Sequence, residues 1–242
     1  MKGNITLCLL ITLGIVFFNS IETKSQTIEL GFWSGFGSYN HSSLRKISAQ
    51  DYSQNNIPNL SNTDYLPFGY AYGIHLDRVY QVYSFGLFFR HEKSRTERSY
   101  YNILEDLYYN QNGSNLVFGL QGKLHLKNQI HNNLSYFPYF SLKSGLNISS
   151  ISYSEKLERL PSNSLGSFEI TSQSFFIEPG FGVRVYDDLF IIEPTLSFFV
   201  PVLQSSYKIN DEMTLKNQTE ENRENTNFLG VRLGITFGLK LN

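Results

Sequence analysis

Across residues 174–202 the side chains alternate with a period of two in two adjoining runs. In the first, Phe175, Ile177, Pro179, Phe181, Val183 and Val185 share one face, and Glu178, Gly180, Gly182 and Arg184 share the other. In the second the parity reverses: Phe190, Ile192, Pro194, Leu196, Phe198 and Val200 oppose Glu193, Thr195 and Ser197. A period of two belongs to a β-strand, whose side chains change face at every residue. A two-residue turn at Asp187-Asp188, with Tyr186 opposite Leu189, requires that switch of parity. One face of the hairpin is apolar for about ten residues, enough for a tilted strand to cross a bilayer. The other carries charge and glycine, which is the pattern of a transmembrane β-barrel.

The same alternation recurs along the chain. Strand one, residues 27–39, sets Ile28, Leu30, Phe32 and Phe36 against Glu29, Gly31, Trp33, Gly35 and Gly37. Strand two, 65–76, and strand three, 79–92, join at an Asp77-Arg78 turn. Strands four and five cover 114–126 and 134–152, the hairpin supplies six and seven, and strand eight begins at Leu229. Polar stretches at 40–64, 93–113, 153–172 and 208–225 read as long loops. Those at 77–78, 127–133 and 187–188 read as short turns. The chain is thus predicted to be all-β: an eight-stranded antiparallel up-and-down transmembrane β-barrel over residues 27–242, with four long extracellular loops and three short periplasmic turns.

Glycine decides which face is wet. A water-soluble barrel would hold its apolar face inside. Here most glycines, among them Gly31, Gly35, Gly73, Gly119, Gly145, Gly182 and Gly234, lie on the charged face. Glycine weakens a strand and serves no purpose on a solvated surface, whereas a narrow lumen has room only for side chains that fit together. The apolar face therefore meets lipid, and the ions point inward. Buried ions must pair. The expected lumen network is Glu29, Glu178, Arg184, Glu193 and Arg232, with Arg90, Lys123 and Lys143 on the far wall. In it, Arg184 and Glu193 lie diagonally across the hairpin, and Arg232 meets Glu29 at the seam between the first and last strands. Such a network plugs an eight-stranded barrel rather than lining an open pore.

Composition narrows the chemistry. A net charge of −1 over 242 residues gives no electrostatic case for nucleic acid. Residues 1–26 read as a signal peptide: Lys2, an apolar core over 5–18, then a polar stretch. The single cysteine, Cys8, lies inside it, so residues 27–242 offer no thiol for a disulfide, a zinc site or a nucleophile. The histidines, His41, His75, His91, His125 and His131, show no ligand spacing; His75 and His125 point inward with strand three between them. His41 beside Ser42 and Ser43 is the best enzyme-like grouping, but no carboxylate can be assigned to orient the histidine. No catalytic, cofactor-binding or metal-binding residue is expected. Tyr100-Tyr101 and Tyr108-Tyr109 read as rim aromatics.

The leader ending near Ser25-Gln26, the Phe-Ile-Glu-Pro-Gly-Phe-Gly-Val-Arg run at 176–184, the Tyr-Asp-Asp turn at 186–188 and the terminus at 230–241 are similar to the PorT-like small outer-membrane barrels of Bacteroidetes-type bacteria. That resemblance implies an outer-membrane location and a family with members linked to protein secretion. The expected function is a non-enzymatic barrel that assists secretion or surface assembly. Its partners would be outer-membrane lipid and proteins met through extracellular loops or periplasmic turns. The alternatives are a small-solute pore or uptake barrel and, ranked lower, a lipid-modifying enzyme.

Overall fold

The computed structural model describes residues 27–40, 69–101, 106–126, 129–131, 134–157, 164–186, 189–204, 208–209 and 229–241. The leader, the 40–64 loop beyond Asn40, the His41–Ser43 grouping and Asp187-Asp188 lie outside the described residues.

Eight antiparallel strands close into a barrel: β1 (Thr27–Asn40), β2 (Gly69–Val79), β3 (Tyr83–Tyr101), β4 (Asp106–His125), β6 (Leu134–Leu157), β7 (Ser164–Tyr186), β8 (Phe190–Gln204) and β10 (Leu229–Leu241). Two short strands, β5 (Gln129–His131) and β9 (Lys208–Ile209), pair with β6 and β7. Neighbours in sequence pair in space, β1 pairs with β10, and β6 with β7, so the ring has no free edge. Closure matters because a bilayer core offers backbone groups no hydrogen bonds.

The alternation turns apolar side chains outward. Phe181, Leu196 and Leu233 are 43%, 41% and 61% exposed, whereas Arg184 and Glu193 are 4% and 2% exposed. On β10 the row Leu229, Val231, Leu233, Ile235, Phe237, Leu239 and Leu241 is exposed while Arg232 and Thr236 are buried. Inside, glycines are the holes into which large side chains fit. A Cβ on Gly31 would collide with the His75 ring, one on Gly234 with Trp33, and one on Gly182 with Tyr139. Gly119 and Gly145 face each other across β4 and β6 so closely that a Cβ on either would strike the other's backbone. Interleaving large and small residues in this way is how a narrow barrel fills its interior.

Several expectations are corrected. The β2–β3 turn is not at Asp77-Arg78. β2 runs on to Val79, the turn comprises Tyr80–Val82, and Asp77 faces the lumen, almost wholly buried. In the central hairpin Tyr186 pairs with Ile191, not Leu189. In both cases the slide is an even number of residues, and parity is blind to an even slide. The faces are therefore as expected although the register differs. The stretches 93–113 and 153–172 are not long loops: β3 pairs with β4 up to Tyr101 and Asp106, and β6 with β7 up to Lys156 and Ser164. The outward row on β3 runs Phe85, Leu87, Phe89, then His91, Lys93 and Arg95. Past the apolar belt the outward face becomes polar like the inward one, where Glu92 and Ser94 stay buried, so the apolar–polar alternation that betrays a strand disappears from the sequence. The polar segments at 127–133 and 208–225 likewise contain the short strands β5 and β9.

The orientation has a depth-dependent consequence. Ile235→Arg, at the middle of β10 on the lipid face, is expected to destabilise the folded barrel by about 2–4 kcal/mol, and Leu241→Arg at the membrane edge by about 0–1 kcal/mol. Urea titration of folding into lipid vesicles measures both; equal costs would contradict the placement of the belt.

Candidate functional site

The interior is the densest concentration of polar chemistry among the described residues. Five cations, Arg90, Lys123, Lys143, Arg184 and Arg232, face five carboxylates, Glu29, Asp77, Glu92, Glu178 and Glu193. They form two clusters.

The outer cluster is built on β3, β7 and β10. Arg90 donates to both oxygens of Glu178, Nη1 to Oε1 at 3.0 Å and Nη2 to Oε2 at 2.6 Å. Arg232 grips Glu92 in the same way, Nε to Oε1 at 2.7 Å and Nη2 to Oε2 at 2.8 Å. Arg90 Nε lies 2.6 Å from Glu92 Oε1, and Lys143 Nζ lies 3.7 Å from Glu178. Ser197 Oγ donates to Glu178 at 2.7 Å, and Asn115 Nδ2 to Glu92 at 3.2 Å. Paired bonds of this planar kind fix geometry as well as charge.

The inner cluster lies toward the end where the described chain begins and closes. Lys123 Nζ sits 2.6 Å from Glu193 Oε2 and 3.0 Å from Asp77 Oδ2. Arg184 contacts Glu29 and lies 3.8 Å from Glu193. Gln121 Nε2 donates to Asp77 at 2.5 Å, and His75 stands 3.7 Å from the same carboxylate.

Aromatic rings pack around the ions. The guanidinium of Arg90 lies 5.2 Å from the Trp33 ring centre, and Trp33 Nε1 donates to Thr195 at 3.2 Å. Phe176 stacks on Phe199 at 4.6 Å and meets Phe88 edge-on at 6.1 Å, while Arg232 lies 3.8 Å over Phe199. These are cation–π distances. The cavity left around Trp33 is about 20 Å³, room for a single water. Below it a vestibule of about 270 Å³, lined by Glu29, His125, Phe137, Arg184, Tyr186 and Lys240, opens at the turn end.

All eight residues expected in the lumen face it, but they are connected differently. Arg184 and Glu193 are brought together by a register that sets them opposite rather than diagonal. Glu178 and Arg90 are joined. Arg232 does not meet Glu29: on the β1–β10 seam Arg232 pairs with Gly37, and Glu29 with Lys240, at opposite ends of the strands. Arg232 belongs to Glu92, and Glu29 to Arg184. Asp77 and Glu92 are members that the sequence pattern did not single out, since Asp77 has the look of a turn and Glu92 of a strand end. Both continue an inward row, 71, 73, 75, 77 on β2 and 84, 86, 88, 90, 92 on β3, so alternation carried to the strand end finds them. The luminal aromatics Phe88, Phe176 and Phe199 obey the same parity but run against an expectation of small or charged residues inside. Among the described residues no group of three His, Cys, Asp or Glu side chains could hold a metal ion. His125 instead meets Phe137 and Tyr139 edge-on.

A closed eight-stranded antiparallel barrel, apolar outside and ionic within, defines a transmembrane protein of the outer-membrane type. No family model and no curated protein matches the chain. Among solved structures it is similar to Neisserial surface protein A, with 8% identity over 90% of this chain and 100% of that one and a TM-score of 0.45. A major outer membrane protein from Thermus thermophilus matches at 12% identity over 90% and 100%, TM-score 0.45. The attachment invasion locus protein of Yersinia pestis matches at 10% over 89% and 97%, TM-score 0.37.

Removing one partner of a buried pair leaves its counter-ion stranded. Glu178→Ala is expected to cost about 3–5 kcal/mol, and the Arg90→Met/Glu178→Leu double variant far less than the sum of its singles. Unfolding in detergent–urea mixtures reads the cycle; strictly additive costs would show that the two groups are not coupled.

Proposed function

We propose that this protein is a non-enzymatic, non-conducting outer-membrane barrel that presents a docking wall to a protein partner in secretion or surface assembly. The observation that carries the reading is the pairing of a filled lumen with a tall wall among the described residues. β3, β4, β6 and β7 are adjacent in the ring and have 19, 20, 24 and 23 residues. A bilayer crossing needs only about 9–11, so this four-stranded wall continues well past the membrane. At the transition Tyr72 Oη and His91 Nδ1 are 2.7 Å apart and His91 Nε2 and Ser114 Oγ 3.0 Å apart, a polar ladder across three strands at the top of the apolar belt. Extended strands carry side chains on a more rigid support than loops do, which suits recognition. The PorT-like resemblance supports the same role.

Two measurements test it. In planar bilayers the purified barrel is expected to give no discrete current steps; reproducible channels would favour the pore reading. Deleting residues 97–110 and joining Thr96 to Gln111 through a two-residue turn shortens the β3–β4 hairpin but leaves the membrane belt intact. That variant is expected to fold, judged by heat-modifiable gel mobility, and to lose a partner that co-purifies with the full chain from native membranes. Retention of the partner would overturn the docking wall.

A further inference from the structure

Gly122 is unlike the luminal glycines. It lies on the lipid-facing side of β4, and a Cβ built on it would meet nothing within 4 Å. Packing within the protein therefore does not require glycine here. Its neighbours across the sheet are Phe85 on β3 and Leu142 on β6, and the next outward rung is Tyr83, Leu124 and Phe140. The missing side chain leaves a groove of about 470 Å³ walled by these apolar groups. It runs to Arg78, the last outward-facing cation of β2, at the turn end of the barrel. There Tyr80 and Tyr83 stack with ring centres 4.6 Å apart, and the Tyr80 amide donates to the Tyr83 carbonyl at 2.8 Å to close the turn. Paired tyrosines beside an arginine mark the membrane–water interface.

We propose that this groove is a binding site for one phospholipid of the periplasmic leaflet, with an acyl chain lying over Gly122 and the phosphate at Arg78. The sizes agree: a notch one side chain wide between Phe85, Leu124, Phe140 and Leu142 matches a hydrocarbon chain, which gains dispersion contacts where a flat wall would give fewer. The polarity agrees as well. Apolar walls fill the membrane side, and the cation sits at the interface, where a phosphodiester is found and where a guanidinium offers it two parallel donors. The leaflet follows from topology, because short turns lie on the periplasmic side.

The test is native mass spectrometry of the full chain, released from membranes in mild detergent, as wild type, Gly122→Leu and Arg78→Gln. Heat-modifiable mobility verifies that each variant is folded. The wild type is expected to carry one phospholipid, and each variant to carry it at about tenfold lower occupancy, the scale of losing one charge-assisted bond or its apolar equivalent. Equal occupancy in all three, or none in the wild type, overturns the site. A wild-type dimer that Gly122→Leu converts to monomer would instead assign the groove to a second copy. In a parallel assay phosphatidylglycerol is expected to raise the melting temperature of the wild type but not of Arg78→Gln. An equal rise with diacylglycerol of the same chains would remove the phosphate from the proposal.

Discussion

Hydrocarbon cannot solvate an ion, and that constraint shapes the whole barrel. Every charged side chain at the depth of the hydrocarbon must turn away from the lipid, into a lumen that eight strands make too narrow for bulk water. Within that space charge has to be matched group by group. Arg90 and Arg232 each take a carboxylate through two donors, and Lys123 is shared between Asp77 and Glu193. Such pairs contribute little net stability relative to an apolar filling, because desolvation offsets most of the attraction. Planar two-donor pairing also fixes the relative orientation of the groups it joins. The backbone ladder, closed through β1–β10 and β6–β7, supplies the cohesion. The ions and the glycine holes determine how the interior is packed.

The two faces obey different rules, which explains how far the sequence could be read. Alternation assigns a face to each residue, and Arg184, Glu193, Glu29 and Arg232 all point where it directs. It does not assign a register. Tyr186 opposite Leu189 and Tyr186 opposite Ile191 satisfy the same parity, and only the folded sheet distinguishes them. Ion-pair partners depend on register as well as on face. Glu29 and Arg232 lie on adjacent strands with inward parity, yet sit near opposite ends of the seam. Nor does alternation reveal strands that leave the membrane. Lys93, Arg95 and the tyrosines at 100–101 are ordinary loop residues by composition, but β3 continues through them, because a strand that has left the lipid needs no apolar outer row and keeps its backbone pairing. Asp77 was hidden for another reason: an aspartate next to an arginine is common turn chemistry, and that local preference yields here to a buried partner, Lys123.

The position of the ion pairs bears on the role of the tall wall. Arg90 on β3 reaches Glu178 on β7, Arg232 on β10 reaches Glu92 on β3, Lys123 on β4 reaches Glu193 on β8, and Arg184 on β7 reaches Glu29 on β1. Each strut passes over two intervening strands of the ring. Three of the four long strands, β3, β4 and β7, are thus cross-braced to β10, β8 and β1 on the facing side of the ring. The fourth, β6, adds Lys143 at Glu178. A projecting sheet hinged at its base would surrender part of any binding energy to ordering itself. Braced at its base, a wall that docks a partner as proposed would meet it already near its bound shape. On the docking reading proposed above, the filled lumen is also what would make the wall above it a usable surface, so that conduction and docking would compete for the same interior.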